Sequence, residues 1–122
     1  MGCTIVEKNR IKYLKLAPAG QVIAHSEDGL ALISLCWAHE VDRVLLLQGC
    51  LSNDFMRLST GIAGEVLQKL SNYGIRAAAV LDMAETKGKF KDFLLETNRG
   101  GIFRAYDSVE RAEAWLVEGE CT

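Results

Sequence analysis

Residues 51–73 have the composition and spacing most suggestive of chemistry, and they contain the run Ser59-Thr60-Gly61. They follow an apolar run and open a helical pattern, which predicts a position at the carboxyl end of a buried strand, where open α/β sheets bind ligands. Backbone N–H groups at the start of that helix would face an anion, and the two hydroxyls would add donors. The simpler alternative is that Thr60 caps the helix while Gly61 and Gly64 allow close helix packing.

Several carboxylates accompany this segment and are candidates for acid–base chemistry. Asp54 and Asp82 each follow an apolar run, so both are expected at the same edge of the sheet. Glu65 lies in the helix after residue 61, and Asp92 and Glu96 are four residues apart on one face of a later helix. Paired carboxylates exchange protons with a substrate when burial separates their pKa values, although such a helix face is often only solvated. The ligand or anion-binding candidates are Asp54, Ser59, Thr60, Gly61, Gly64, Glu65, Asp82, Glu96, Asn98 and Arg99.

The cysteines and histidines do not have the spacing of a metal site. The four cysteines are widely separated, and His25 and His39 flank opposite ends of one predicted helix. Cys36 and Cys50 lie in apolar surroundings and are expected to be buried, reduced thiols. The sequence also contains no dinucleotide-binding glycine motif, phosphate-binding loop or zinc-protease motif. We therefore expect no metal and no cofactor.

Composition indicates a single globular domain that spans residues 1–122. Hydrophobic residues make up 49% of the chain and charged residues 25%, which are ordinary globular values. The net charge of −2 argues against a protein that grips nucleic acid. The chain lacks the roughly 18 consecutive apolar residues of a membrane helix, and its N-terminus becomes charged too early for a signal peptide. We expect a cytoplasmic protein with no membrane or nucleic-acid partner.

Hydrophobic periodicity predicts the element order β-β-α-β-α-β-α-β-α. The first two strands form a hairpin with a turn at Asn9-Arg10, and short continuous apolar runs mark strands that are covered on both faces. Turn and cap residues divide the remaining chain into helices. The predicted strands span residues 4–8, 11–16, 43–48, 75–81 and 102–106. The predicted helices span residues 26–39, 60–74 and 90–98, with a last helix that begins at Asp107 or Ser108.

This order predicts a mostly parallel sheet of four to five strands, with right-handed crossovers and an N-terminal hairpin. The helix at residues 26–39 is apolar on nearly every side. Such a helix is either buried or packs against a partner chain. A homodimer is therefore expected.

Two longer motifs carry a family resemblance. The first, at residues 54–73, reads D-F-x-x-L-x-T-G-x-A-G-E-x-L-Q-K followed by N-Y, and the second, at residues 91–100, reads K-D-F-x-x-E-x-N-R-G and is followed by Phe103. This pattern resembles a small bacterial domain-of-unknown-function family (number four-one-eight-zero). The likeness covers nearly the whole chain, and it implies kinship without an assigned activity.

A more distant likeness concerns the element order and the Ser59-Thr60-Gly61 run. Both are similar to the STAS domain of anti-sigma-factor antagonists, which are bacterial partner-switching modules. The resemblance implies a STAS-like fold, another regulatory protein as partner, and phosphorylation of the residue before the glycine, here Thr60. A phosphate adds about −1.5 to −2 charge and breaks an interface by repulsion. The sequence departs from the antagonist pattern at Leu58, where those proteins usually carry Asp.

Three functions remain open on the sequence alone. The first is a non-catalytic protein-interaction or regulatory module with STAS-like architecture. The second is a small-molecule or anion binder at the helix that starts near Thr60. The third is an enzyme that uses Asp54, Glu65, Asp82 or Glu96 as acid or base.

Overall fold

The structure of the protein is a computed structural model that describes residues 3–17, 23, 25, 27–57, 61–82 and 88–118. Within these residues the chain forms an α/β fold with five strands and five helices, one of the helices a single four-residue turn. In chain order these are β1 (Cys3–Lys8), β2 (Ile11–Leu16), α1 (Glu27–Ala38), β3 (Arg43–Leu46), α2 (Asn53–Met56), α3 (Ile62–Tyr73), β4 (Arg76–Val80), α4 (Gly88–Thr97), β5 (Phe103–Tyr106) and α5 (Val109–Glu118).

The five strands form one sheet in the order β1-β2-β3-β4-β5. β1 pairs with β2 antiparallel, with Lys8 opposite Ile11 beside the turn, and this confirms the predicted N-terminal hairpin. β2, β3, β4 and β5 then pair parallel in sequence. The sheet is therefore mixed, and this corrects the expectation of a mostly parallel sheet. The reason is the hairpin, which places the antiparallel strand β1 at one edge.

Helices cover both faces of the sheet. Parallel strands that follow one another in order, joined by crossovers of one hand, place the intervening helices on one face. Accordingly α1, α3 and α4 pack on one face, and α5 packs on the other. Alternate residues of the strands enter the two cores because side chains in a strand point to opposite faces. The strand residues of the first core are Leu14, Leu16, Val44, Leu46, Ala77, Ala79, Phe103 and Ala105, and those of the second are Tyr13, Leu45, Ala78 and Val80.

α5 is held on its face by apolar packing and by two arginines. Trp115 is 8% exposed, and the guanidinium groups of Arg76 and Arg104 lie 5.4 and 5.0 Å from its ring centroid. Each cation over an aromatic face adds roughly 0.5–1 kcal/mol. The N-terminus of α5 is capped by Ser108, whose Oγ accepts a hydrogen bond from the backbone N–H of Arg111 at 3.2 Å. Of the two predicted caps, Ser108 is thus the one used.

Two local predictions need correction. The loop predicted between β3 and the following helix contains the short helix α2, whose first turn is closed by Ser52 Oγ accepting from the N–H of Phe55 at 3.1 Å. α3 begins at Ile62 with Gly61 as its N-cap residue, so Thr60 is not the cap. Gly61 has φ 77°, a left-handed conformation that glycine adopts without steric cost. Thr60 itself lies outside the described residues.

Candidate functional site

The predicted ligand candidates are divided between the segments that follow β3 and β4 and the end of α4 beside the outer strand β5. Asp54 lies in α2, after β3, and Asp82 directly follows β4, so the backbone places both at the carboxyl edge, as predicted. Gly61 and Glu65 at the start of α3 belong to the same edge, whereas Ser59 and Thr60 fall outside the described residues. Glu96, Asn98 and Arg99 lie at or just after the end of α4, where Asn98 contacts Ala105 of the outer strand β5.

At the start of α3, a carboxylate already occupies the space near the helix dipole. One carboxylate oxygen of Glu65 lies 3.8 Å from the position that a Cβ on Gly61 would take. A negative charge in the first turn stabilises the helix, and it also lowers the attraction of that end for a second anion. Gly64 is exposed with nothing within 4 Å of its would-be Cβ, so it does not serve close helix packing as the simpler alternative supposed. The glycine at a close helix contact is Gly29 of α1, which faces Val66 at 3.5 Å.

Asn98 closes the outer edge of the sheet. Its side-chain Oδ1 accepts from the backbone N–H of Ala105 at 2.8 Å, and its Nδ2 donates to the carbonyl of Ala105 at 3.0 Å. The carbonyls of Ile102 and Tyr106 accept hydrogen bonds from the N–H groups of Ala77 and Leu81, so the backbone of Ala105, which alternates with them, points away from the sheet. The amide of Asn98 thus takes the place of a sixth strand at this point, which protects an otherwise open edge. The side chains of Asp82, Glu96 and Arg99 are exposed.

A buried tyrosine and a glutamate form a second polar contact, between β2 and α5. The hydroxyl of Tyr13, fully buried, donates to Glu113 at 2.5 Å, and Lys8 donates to the other oxygen of that carboxylate at 2.9 Å. Burial, together with the bond to Glu113, raises the pKa of Tyr13 well above its ordinary range. The hydrogen bonds from Tyr13 and Lys8 lower the pKa of Glu113. The raised pKa of Tyr13 and the lowered pKa of Glu113 are consistent with a neutral phenol that donates a hydrogen bond to an ionised carboxylate.

The thiols of Cys36 and Cys50 are buried, as predicted. Burial raises the pKa of Cys36 to about 12, with a smaller contribution from the charge of Asp42, and raises that of Cys50 to about 11. A thiol with so high a pKa is a poor nucleophile near neutral pH. Among the described residues no group of three or more histidine, cysteine or acidic side chains is placed to hold a metal ion.

The exposed face of α1 is apolar and uncharged, a feature that we call the α1 face. It consists of Leu30, Ala31, Ser34, Trp37 and Ala38, which are all exposed and recur at the spacing of three and four that places residues on one side of a helix. Leu30 is 45% exposed and Trp37 is 57% exposed. Contiguous apolar surface of this kind marks interaction sites, whereas single exposed apolar residues are common everywhere.

A residue of α3 extends the α1 face. Tyr73, which is 47% exposed, meets the ring of Trp37 edge to face, with centroids 5.3 Å apart and planes at 76°. The pair is held at the surface by this contact, so its two rings are presented together. α1 carries no charged residue after its first turn, whereas α3, α4 and α5 carry charges along their length. The α1 face therefore differs from the exposed surface of the other long helices.

An open depression of about 500 Å³ lies at the amino ends of β2 and β3, and we call it the amino-edge depression. Two segments line it, residues 9–12 of the hairpin and residues 40–43 between α1 and β3. Its charged side chains are Arg10, Lys12, Glu40, Asp42 and Arg43, so cations and carboxylates share one small space.

The backbone around this depression is unusual. Asn9, Arg10 and Glu40 have φ values of 54°, 68° and 59°, and they are the positive-φ residues other than glycine in the described chain. All three line the depression. A left-handed conformation costs a side-chain-bearing residue about 1–2 kcal/mol, and Gly is the usual choice at the second turn position and after a helix. Charged residues occupy two positions where glycine would be less strained.

Sequence reasoning missed the amino-edge depression as a site, whereas it described the helix at residues 26–39 as either buried or packed against a partner chain. It predicted the Asn9-Arg10 turn, but it did not weigh that an arginine stands where such turns prefer glycine. It noted that α1 is apolar all round without identifying which side remains exposed, because that depends on how α1 meets the sheet and α3. Leu30 and Trp37 could be separated from the buried Leu32 and Ile33 only once that contact was known.

The family model "Domain of unknown function (DUF4180)" matches residues 8–116. The chain belongs to this family. The match contains both motifs on which the sequence resemblance rests, at residues 54–73 and 91–103, and it confirms that resemblance. No curated protein and no solved structure matched the chain. None of the helices in the described part of the chain is long and apolar enough to span a membrane.

Proposed function

We propose that this member of the DUF4180 family is a non-catalytic protein-interaction module that docks through the α1 face. The observation that carries the proposal is the uncharged, exposed surface of Leu30, Trp37 and Tyr73 on two adjacent helices. Aromatic residues are enriched at the centres of protein interfaces, where charged residues are depleted.

The occupant of this face is a second copy of the chain, paired antiparallel about a two-fold axis near Ser34. In a two-fold interface, residue i of one copy meets residue j of the other, and j meets i. With Ser34 on the axis, Ala31 of one copy faces Trp37 of the other, and Leu30 faces Ala38. A large side chain then meets a small one at each contact, which allows the helices to approach closely.

The charged residues at the ends of α1 also meet in this arrangement. Glu27 and Asp28 lie in the first turn of α1, and His39 and Glu40 follow its last turn. The side chain of Lys69 lies at the acidic end, with its Cδ 3.4 Å from the would-be Cβ of Gly29. With Ser34 on the axis, Glu40 of one copy comes opposite Asp28 of the other, and Lys69 supplies a cation at this end of α1. The two helix dipoles also oppose each other, which is favourable.

The finer form of this proposal is a STAS-like regulator whose binding responds to phosphorylation at Thr60. Its support is the element order, the consecutive strand arrangement and the Ser59-Thr60-Gly61 run before α3. Peptide mapping of protein from its native host tests this part. We expect a phosphopeptide that contains Thr60, and an unmodified peptide under all growth conditions would contradict it.

A small-molecule or anion site at the start of α3 is the second proposal, and the carboxylate of Glu65 weighs against an anion there. The variant to use is Thr60→Val, since Gly61→Val would force a branched residue into a left-handed conformation. A ligand that co-purifies with the native protein and is lost in Thr60→Val would favour this proposal over the interaction module.

Sedimentation equilibrium over a range of protein concentrations tests the interaction proposal. We expect a reversible dimer for the native chain and a monomer for Leu30→Glu. A buried charge at an interface centre costs about 2 kcal/mol or more and occurs twice in a two-fold dimer, so the dissociation constant should rise at least several hundredfold.

Leu95→Glu is the matched control, because Leu95 is also an exposed leucine, at 55% against 45% for Leu30, but lies on α4. It should leave the dimer intact. Circular dichroism should show that both variants fold. A monomeric native chain, or equal effects of the two substitutions, would contradict docking of a second copy on the α1 face.

A further inference from the structure

We propose that the amino-edge depression binds a small zwitterion, a molecule that carries an anionic phosphate or carboxylate group and an ammonium group. The volume of about 500 Å³ lies within the roughly 300–1,000 Å³ of small-ligand pockets.

The ligand class follows from the charges that line the depression. Arg10, Lys12 and Arg43 supply three cations, and guanidinium groups bind phosphate or carboxylate with two parallel hydrogen bonds. Glu40 and Asp42 supply two carboxylates in the same space. A bare anion would meet these carboxylates and a bare cation would meet the three basic side chains. A molecule with both charges satisfies the two sets together.

The backbone of residues 40–43 is tied to α1 and to β4. Arg43 begins β3 and keeps only 11% of its side chain exposed, and its Nη1 lies 3.9 Å from the carboxylate of Asp42. The carbonyl of Asp42 accepts a hydrogen bond from the N–H of Arg76 at 2.9 Å, which ties this segment to β4. After α1, the N–H of Val41 donates to the carbonyl of Cys36 at 2.9 Å, and this closes the helix around Glu40. The charged groups are therefore presented by an ordered backbone.

Backbone strain indicates why these particular residues are present. Arg10 and Glu40 both adopt a left-handed conformation in which glycine is less strained. Strained positions of this kind cluster at functional sites, where a side chain required for function is retained although it lowers the free energy of unfolding. A cation and a carboxylate, placed at two strained positions beside one depression, are what a zwitterion requires.

The probe is phosphoethanolamine, with inorganic phosphate and ethanolamine as its separate halves. Binding is followed by the amide chemical shifts of the ¹⁵N-labelled full chain. A second zwitterion, 4-aminobutanoate, carries a carboxylate in place of the phosphate and shows which anionic group the depression prefers. We expect phosphoethanolamine or 4-aminobutanoate to shift the amides of residues 9–12 and 40–43 and to bind at least tenfold more tightly than phosphate, acetate or ethanolamine alone. Absence of these shifts for both zwitterions, or equal affinity for a half-molecule, overturns the proposal.

Two glycine variants separate a binding role from a structural one. Arg10→Gly and Glu40→Gly relieve backbone strain, so each should leave the melting temperature unchanged or higher, and each should weaken binding of the zwitterion about tenfold or more. Glu40→Gly should leave the weak affinity for phosphate unchanged or higher, because it removes a carboxylate that a bare anion would meet. The control Lys91→Ala removes an exposed cation on α4 and should alter neither quantity. Full affinity in both glycine variants would overturn the assignment.

Discussion

Asn98 provides the most direct test of how the sheet edge is held. Replacing it by alanine removes two hydrogen bonds to Ala105, of 2.8 and 3.0 Å. Each such bond contributes about 0.5–1.5 kcal/mol net, so Asn98→Ala should lower the free energy of unfolding by roughly 1–3 kcal/mol. At about 4 °C for each kcal/mol, the melting temperature should fall by roughly 4–12 °C.

Urea unfolding followed by circular dichroism measures this effect. The dependence on urea concentration should keep its slope, because the surface exposed on unfolding hardly changes. Asn98→Asp keeps the acceptor for the N–H of Ala105 but places a second oxygen against the carbonyl, so it should destabilise at least as much as alanine. The edge of β5 would also be open, and we expect Asn98→Ala to aggregate more readily on heating.

Asn72→Ala is the control, because Asn72 accepts one hydrogen bond from Gln68 at 3.0 Å on the exposed side of α3. It should change the free energy of unfolding by less than about 0.5 kcal/mol, as is usual for surface substitutions. If Asn98→Ala changes stability no more than this control, the edge-closing role of Asn98 is refuted.

Three further predictions concern the two cores. Tyr13→Phe should lower the free energy of unfolding by about 1.5–3 kcal/mol near neutral pH, since it removes a bond to a charged group. In the native chain, the lowered pKa of Glu113 stabilises the fold above about pH 4, and this stabilisation is lost in acid. The raised pKa of Tyr13 stabilises the fold below about pH 10, and this stabilisation is lost at higher pH. The free energy of unfolding of Tyr13→Phe should therefore vary less with pH at both extremes. An unchanged pH profile would contradict this. Cys36 and Cys50 should resist alkylation by iodoacetamide at neutral pH in the folded chain and react once the chain is unfolded. Mass spectrometry measures the extent of labelling. Rapid labelling of the native protein would contradict the burial of these thiols. Trp115→Leu should cost about 1–3 kcal/mol through loss of two cation–aromatic contacts and of apolar area, measured by urea unfolding, and a neutral effect would contradict the role given to the two arginines.

The fold was largely predictable because its signals are local. Continuous apolar runs identified β3 and β4, and the Asn9-Arg10 turn identified the hairpin, since these patterns reflect burial and turn chemistry within a few residues. The element order predicts a mostly parallel sheet, whereas the structure shows a mixed sheet because of the antiparallel strand β1. The predicted boundary was less accurate at the start of α3. The sequence predicts Thr60 as the N-cap residue, whereas the N-cap is Gly61, which has a left-handed conformation.

The site was harder to predict, because it depends on which segments the fold brings together. Residues 54–65 and 96–99 both belong to family motifs, yet the topology sends them to different parts of the sheet. The sequence suggested that Asn98 contacts a ligand. In the structure, the oxygen and the nitrogen of its side-chain amide both bind the backbone of Ala105. The amino-edge depression joins the hairpin turn to the α1–β3 connection, which are about thirty residues apart in the sequence.

The central claim, that α1 meets α1 of a second copy, is tested most directly by proximity at Ser34. A cysteine placed there, in a chain whose Cys3 and Cys121 are replaced by serine, would lie beside its own copy on the two-fold axis. We expect Ser34→Cys to give a covalent dimer in high yield with a short bismaleimide, while Leu95→Cys on α4 remains monomeric under the same conditions. Equal yields from the two positions, or no covalent dimer from Ser34→Cys, would contradict the account.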